Sequence, residues 1–269
     1  MKRNQHPPCA YLFLSNCLLS VIYPLVALLI TASLTVAQTK SVAIAVEDDA
    51  APWSRSDGSG YANDLVVAAF KAVGVVVELK VVPYARCKRM AMNAEVVGCF
   101  STSPSSDLDG EIELAAKPLF TVKSGYFYNI KKSISSKSQQ QLPAGTVVGT
   151  VIGYEYPKEF EQLKQQGTVV VEESPSEDVN LRKLAAGRID LALLNFNEMK
   201  TAASLIKKAG VAGQVQTTFA AGMMNSYIGF SVKHPQGRWA REQFDKGFSR
   251  IIANGTHRRI RETWLRLSK

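Results

Sequence analysis

From residue 41 onward, apolar and polar stretches follow each other in blocks of strand and helix length. Ser41 to Val46 is a short, nearly unbroken apolar run, the pattern of a buried strand, and it leads into a loop carrying Pro52 and Trp53. Ser56-Asp57-Gly58-Ser59-Gly60 is turn chemistry. After it, DLVVAAFKAV predicts a helix with Leu65, Ala68, Ala69 and Ala72 facing inward, capped by Asn63 or Asp64 and stopped by Gly74. Residues 75–83 predict a second strand. Tyr84 opens a second helix, CKRMAMNA continues it, and Val96-Val97-Gly98-Cys99-Phe100 predicts a third strand. Residues 41–101 thus read strand–helix–strand–helix–strand, the signature of a mainly parallel sheet covered by helices.

The same rhythm restarts after a polar stretch without apolar period at 131–146, which reads as a loop at a lobe entrance. TVVGTVIG predicts a strand, YPKEFEQLKQQG a helix, TVVVEES a strand, 177–186 a helix and IDLALLN another strand. The stretch LRKLAAGRIDLALLNF repeats the helix-to-strand turn of CKRMAMNAEVVGCF. Two copies of one α/β unit imply two lobes. In such sheets ligands bind beyond the carboxyl ends of the strands, and a cleft between domains is a favoured small-molecule site. At the far end, THRRIRETWLRLSK predicts a helix with Ile260, Trp264 and Leu267 on one face and its arginines in water.

The first residues change the picture of where the chain works. Met1-Lys2-Arg3 is basic, residues 10–32 are almost wholly uncharged and apolar, and Thr35-Val36-Ala37 is small. This pattern predicts a secretory signal peptide over 1–37, with an uncleaved membrane anchor as the alternative. The remaining residues suffice for one large domain or two small lobes. Formal net charge is +9. The positive balance is spread along the chain, so a generally basic exported protein is expected, with no nucleic-acid partner. Cys9 and Cys17 fall in the signal. Cys87 and Cys99 remain, one on a predicted helix and one on the strand beneath it, and an exported pair favours a disulfide, with two buried thiols as the alternative. His6, His234 and His257 are far apart and lack metal-ligand spacing, and no dinucleotide or nucleoside-triphosphate loop is present. No cofactor or metal is expected.

Several pieces, in order, resemble the family 3 extracellular solute-binding proteins, the periplasmic receptors that feed ABC importers of polar amino acids. They are APWS, GYANDLVVAAFKAVG, VPYARCKRM, KPLFTVKSGYF, VVGTVIGYEY, LRKLAAGRIDLALLN and FDKGFSRIIANGTHRRIRETW. The resemblance implies a two-lobed type II periplasmic-binding-protein fold. Its first lobe would comprise residues 38–126 and 222–269, its second 127–221, with crossing segments near 125–130 and 218–224. It also implies a monomer that captures a small solute in the periplasm and meets an ABC permease or a membrane sensor. A dehydratase-like enzyme on the same fold is the alternative.

The chain departs from the family where the family holds an α-amino acid. The stretch after the first-lobe strand, STSPSSDLDGE, lacks the arginine that grips the α-carboxylate, and Asn195 stands where an aspartate would hold the α-ammonium. A guanidinium and a carboxylate are strong, geometry-specific partners for a zwitterion, so their loss points away from an ordinary α-amino acid. By the resemblance, Trp53 and Tyr84 would wall the cleft and Ser101 and Thr102 would offer hydroxyls. Gly153 and Tyr154 would present backbone N–H groups at a helix start, Asn195 would make polar contacts, and Arg86 would serve as a replacement cation.

Overall fold

The computed structural model describes residues 40–132 and 134–268; the expected signal peptide, with Cys9 and Cys17, lies outside them. The chain begins with β1 (Ser41–Glu47), the short hairpin β2 (Asp49–Ala50) and β3 (Ser54–Arg55), helix α1 (Tyr61–Lys71) and β4 (Val76–Val82). Then come α2 (Tyr84–Met92), β5 (Gly98–Thr102), β6 (Ile112–Leu114) and the long β7 (Phe120–Asn129). The second unit holds β8 (Thr146–Val151), α3 (Lys158–Gln165), β9 (Val169–Ser174), α4 (Glu177–Ala185), β10 (Leu191–Phe196) and α5 (Ala202–Ala209). The chain ends with β11 (Val215–Ser231), α6 (Gly237–Ala253) and α7 (Thr256–Leu267).

The two predicted units build two half-sheets of the same design. In one, β4, β1 and β5 are parallel and β11 closes the set antiparallel. In the other, β9, β8 and β10 are parallel and β7 closes the set antiparallel. The long strands β7 and β11 also pair with each other, so all the strands of both halves lie on one hydrogen-bonded path, β4-β1-β5-β11-β7-β10-β8-β9, with β6 added to β11. Along β11, Val215 to Ser226 run beside β7, and Tyr227 to Ser231 beside β5 and β6. The register of β11 shifts at Ala220 and Gly222 and again after Tyr227, where the strand turns from one half to the other.

Each half has its own apolar core. Ile44, Leu65, Phe70, Phe100, Phe230 and Phe244 pack on the first sheet, with α1 and α6 on one face. Helix α6 approaches α1 closely because Gly247 has no side chain: a Cβ there would lie 1.9 Å from the Ala69 carbonyl oxygen. On the second sheet, Phe127, Leu181, Leu184 and Leu194 form a core on one face, and Tyr126, Phe160 and Leu193 on the other. This burial on both faces explains the continuous apolar runs of β8 and β10.

The helices differ in detail from the sequence expectation. Helix α1 begins at Tyr61, one turn early. Neither Asn63 nor Asp64 caps it: Asn63 is buried and its Nδ2 donates to the Gly58 carbonyl at 2.8 Å, while Asp64 accepts from Trp264 Nε1 at 2.7 Å. Leu65 and Ala69 are buried as expected, but Val66 and Phe70 complete the inner face and Ala68 and Ala72 sit at its margin. In α7, Trp264 is buried and Leu265 packs beside it, whereas Leu267 is exposed.

Candidate functional site

The carboxyl ends of β1, β5, β8 and β10 meet where the two halves face each other. A cavity of about 30 Å³ lies there, lined by Glu47, Trp53, Tyr84, Ser101, Ser103, Phe120, Val122, Tyr154, Glu155, Asn195 and Ser226. That volume is of the size of a water molecule and too small for a solute, because protein side chains reach across the cleft.

Five of the expected residues come together in this lining: Trp53, Tyr84, Ser101, Tyr154 and Asn195. Trp53 stacks at 4.9 Å on Phe120, and its Nε1 donates to Asn197 Oδ1 at 3.3 Å. Tyr84 and Tyr154 meet edge to face at 5.3 Å. Ser101 holds φ 68°, a left-handed backbone that a serine adopts only when its surroundings require it. Its Oγ is buried without a hydrogen-bond partner, as is Ser226 Oγ. Asn195 Oδ1 accepts from Ser124 Oγ at 2.5 Å, and its backbone N–H donates to Glu177 at 3.1 Å.

The other three expected residues lie outside this lining. Thr102 is buried behind the lining, its Oγ1 without a partner. Arg86 is exposed on the outer side of α2, two residues along from Tyr84 and so turned away from it. Gly153 and Tyr154 do not open a helix, since α3 starts only at Lys158. Gly153 instead has φ 81° and sits against Ala85, so close that a Cβ would lie 2.9 Å from the alanine methyl. It contributes a carbonyl acceptor, and Tyr154 contributes its hydroxyl, which donates to Glu47.

The cation and the carboxylates of the site were not singled out in the sequence. Lys88 lies one helical turn after Tyr84 and points the same way. Its Nζ donates to Glu155 Oε1 at 2.8 Å, Asp107 Oδ2 at 2.8 Å and the Gly153 carbonyl at 3.1 Å. Glu155 Oε2 accepts from Tyr84 OH at 2.8 Å and from the Ser103 backbone N–H at 3.3 Å. Burial alone would push the Lys88 ammonium down, but Glu155 and Asp107 hold it above its ordinary value. Burial pushes the Glu155 carboxyl up, and Lys88 and Tyr84 pull it part of the way back. Desolvation by burial raises Glu47 to about 8, opposed by its bond from Tyr154 and by the nearby charge of Lys200. A second buried lysine, Lys200, pairs with Glu177 and stands 4.5 Å over the Trp53 ring. Cys87 and Cys99 form a disulfide that ties α2 to β5 directly behind this cluster.

Among the described residues, no group of three or more His, Cys, Asp or Glu is placed to hold a metal, and no helix is long and apolar enough to cross a membrane.

Comparison with solved structures gives the class. The fold is similar to a histidine kinase sensor domain that itself resembles periplasmic binding proteins (TM-score 0.71, 17% identity, 85% of this chain and 97% of that one). It is also similar to an ancestral arginine-binding protein bound to arginine (TM-score 0.68, 18% identity, 83% and 97%). The substrate-binding protein AbpA of an amino acid ABC transporter from Streptococcus pneumoniae, bound to L-arginine, aligns with TM-score 0.65 at 14% identity, over 87% and 98%. The chain therefore has the two-lobed periplasmic-binding-protein fold, in agreement with the family resemblance of its sequence. No protein-family model matches the sequence, and no curated protein does.

Proposed function

We propose that this protein is a periplasmic receptor that captures a small polar or aromatic solute between its lobes and presents it to a membrane transporter or sensor. The supporting observation is the lining of the cleft. Trp53, Tyr84, Phe120 and Tyr154 supply flat apolar faces, and Ser101, Ser226 and Asn195 supply polar groups, at the carboxyl ends of strands from both halves. Fold neighbours whose names state a role are receptors or a sensor domain, which favours binding over catalysis. The lobes of this reading are residues 38–126 with 222–269, and 127–221, and closure is favoured by a solute that touches both.

The solute of this reading is not a standard α-amino acid. The stretch Pro104-Ser105-Ser106-Asp107 brings no arginine to the first lobe, and Asn195 offers no charge to an ammonium. An unpaired charge in a closed cleft costs several kcal/mol, of the order of ~3–5. Calorimetric titration with the twenty amino acids and with a panel of aromatic and polar non-amino-acid solutes tests this. The expected result is heat only from the second panel, abolished by Trp53→Ala. Micromolar binding of any standard amino acid, lost on Asn195→Ala, overturns it.

A further inference from the structure

Glu155 is a side chain of the second half that the first half holds as it would hold a bound carboxylate. Both carboxylate oxygens are engaged by first-half donors: Lys88 Nζ on one, Tyr84 OH and the Ser103 N–H on the other. These donors come from α2 and from the end of β5, and the group they hold forms part of the cavity wall. Lys88 keeps a second carboxylate, Asp107, so it stays paired whatever occupies the cradle. Beside the cradle, Ser101 Oγ and Ser226 Oγ face the same cavity with their hydrogen-bonding capacity unused.

We propose that Lys88, Tyr84 and Ser103 form a carboxylate-binding cradle, that Glu155 is its built-in occupant, and that an external carboxylate enters by displacing it. This rests on the receptor reading and deepens it, because it assigns a carboxylate to the solute and a competitor to the cleft. With Glu155 seated, the lobes are latched by the protein itself. A tethered carboxylate acts at an effective concentration of roughly millimolar or more, so a free carboxylate must bring further contacts to win. Those contacts are available from Ser101, Ser226 and the aromatic walls. A mono-carboxylate with a flat apolar body has the matching chemistry, and bare acetate, which lacks the body, isolates the cradle.

The test uses acetate as the probe on the full mature protein, so its outcome does not depend on the natural solute being known. Acetate binding is followed by NMR line broadening of the ligand, with chloride at equal ionic strength as the control. Lobe separation is followed by the radius of gyration in solution scattering. Glu155→Ala is expected to enlarge the radius of gyration and to bind acetate at least about tenfold more tightly than the wild type. Adding Lys88→Met to that variant is expected to abolish the binding. Glu155→Gln, which keeps the shape and loses the charge, serves if the alanine variant does not fold, and is expected to enlarge the radius of gyration. Equal acetate affinity in wild type and Glu155→Ala, or binding that survives the Lys88→Met addition, overturns the cradle. An unchanged radius of gyration in both Glu155 variants overturns the latch. Tighter acetate binding by Glu155→Ala in a protein that binds no larger solute would leave the cradle standing and refute the receptor reading.

Discussion

Two buried lysines mark the cleft, and they do different work. Lys88 and its partner Glu155 come from opposite halves, so their ion pair forms only when the halves meet. Lys200 and its partner Glu177 both belong to the second half, on the segment after β10 and on the first turn of α4, and Lys200 meets the other half at the Trp53 ring. Both pairs are nearly excluded from water, with side-chain exposures of 10% and 5% for the first and 2% and 5% for the second. Equal burial therefore does not imply equal purpose. The crossing pair joins the two halves, and the internal pair lies within one. The internal one also carries the site, because Glu177 fixes the backbone of Asn195 and Lys200 sets the face of Trp53.

The largest effect that separates the two is expected from Lys200→Met. It leaves the Glu177 carboxylate buried without its cation, and the second half should lose about 3–5 kcal/mol in urea unfolding. Lys88→Met should change stability less than it changes lobe separation, since Glu155 can then swing to water with the opened cleft. A Lys200→Met protein as stable as the wild type would show that the two pairs are alike.

Reduction of Cys87–Cys99 comes next. The cysteines are 12 residues apart, a short loop, so the bond should contribute about 2–3 kcal/mol. It braces α2, the helix that carries Tyr84 and Lys88. Cys87→Ala with Cys99→Ala should therefore weaken solute binding as well as lower the melting temperature. A change in melting temperature alone would detach the disulfide from the site.

The pH dependence separates the crossing contacts from one another. Glu47, which accepts from Tyr154 across the cleft, has its folded-state value raised from 4.5 to about 8. A raised acid contributes stability that is complete below about 4.5 and is lost as pH rises through about 8. Stability should thus fall by on the order of 2 kcal/mol between pH 6 and pH 8, and Glu47→Gln should flatten that slope. A slope unchanged by Glu47→Gln would place its origin elsewhere, with Glu155 the next candidate because burial raises it too.

The smallest effect is expected at the rim. Lys208 bridges from α5 to Asp49 at 2.6 Å and to Asp178 at 3.1 Å, but Lys208 and Asp49 are 43% and 47% exposed. Lys208→Ala should cost roughly 0.2–1 kcal/mol and vanish in high salt. A rim bridge worth as much as the Lys88 pair would mean that closure is governed by surface charge.

The repeated half-sheet was legible because β1, β4, β5, β8, β9 and β10 are separated by helices that end at glycine or a turn, Gly74 and Gly187 among them. The crossing strands were less so. Residues 215–231 mix exposed and buried positions as they pass from one sheet to the other, and their register slips at Gly222, so no single period runs through them. Trp53, Tyr84 and Asn195 were found through their place in the family frame, whereas Phe120 was not. Lys88, Glu155 and Glu47 were hidden because a charged residue in a helix or loop usually faces water. One local signal existed: Lys88 follows Tyr84 by four residues, which puts both on one face of α2, while Arg86 falls on the other.

Native mass spectrometry tests the proposed receptor role most directly. The protein is incubated with a periplasmic extract, re-isolated and sprayed intact beside a Trp53→Ala variant. A single small-molecule adduct on the wild type, absent from the variant, is the predicted result. A wild type that carries no adduct, or one that the variant carries equally, would contradict a solute held between Trp53 and the second lobe.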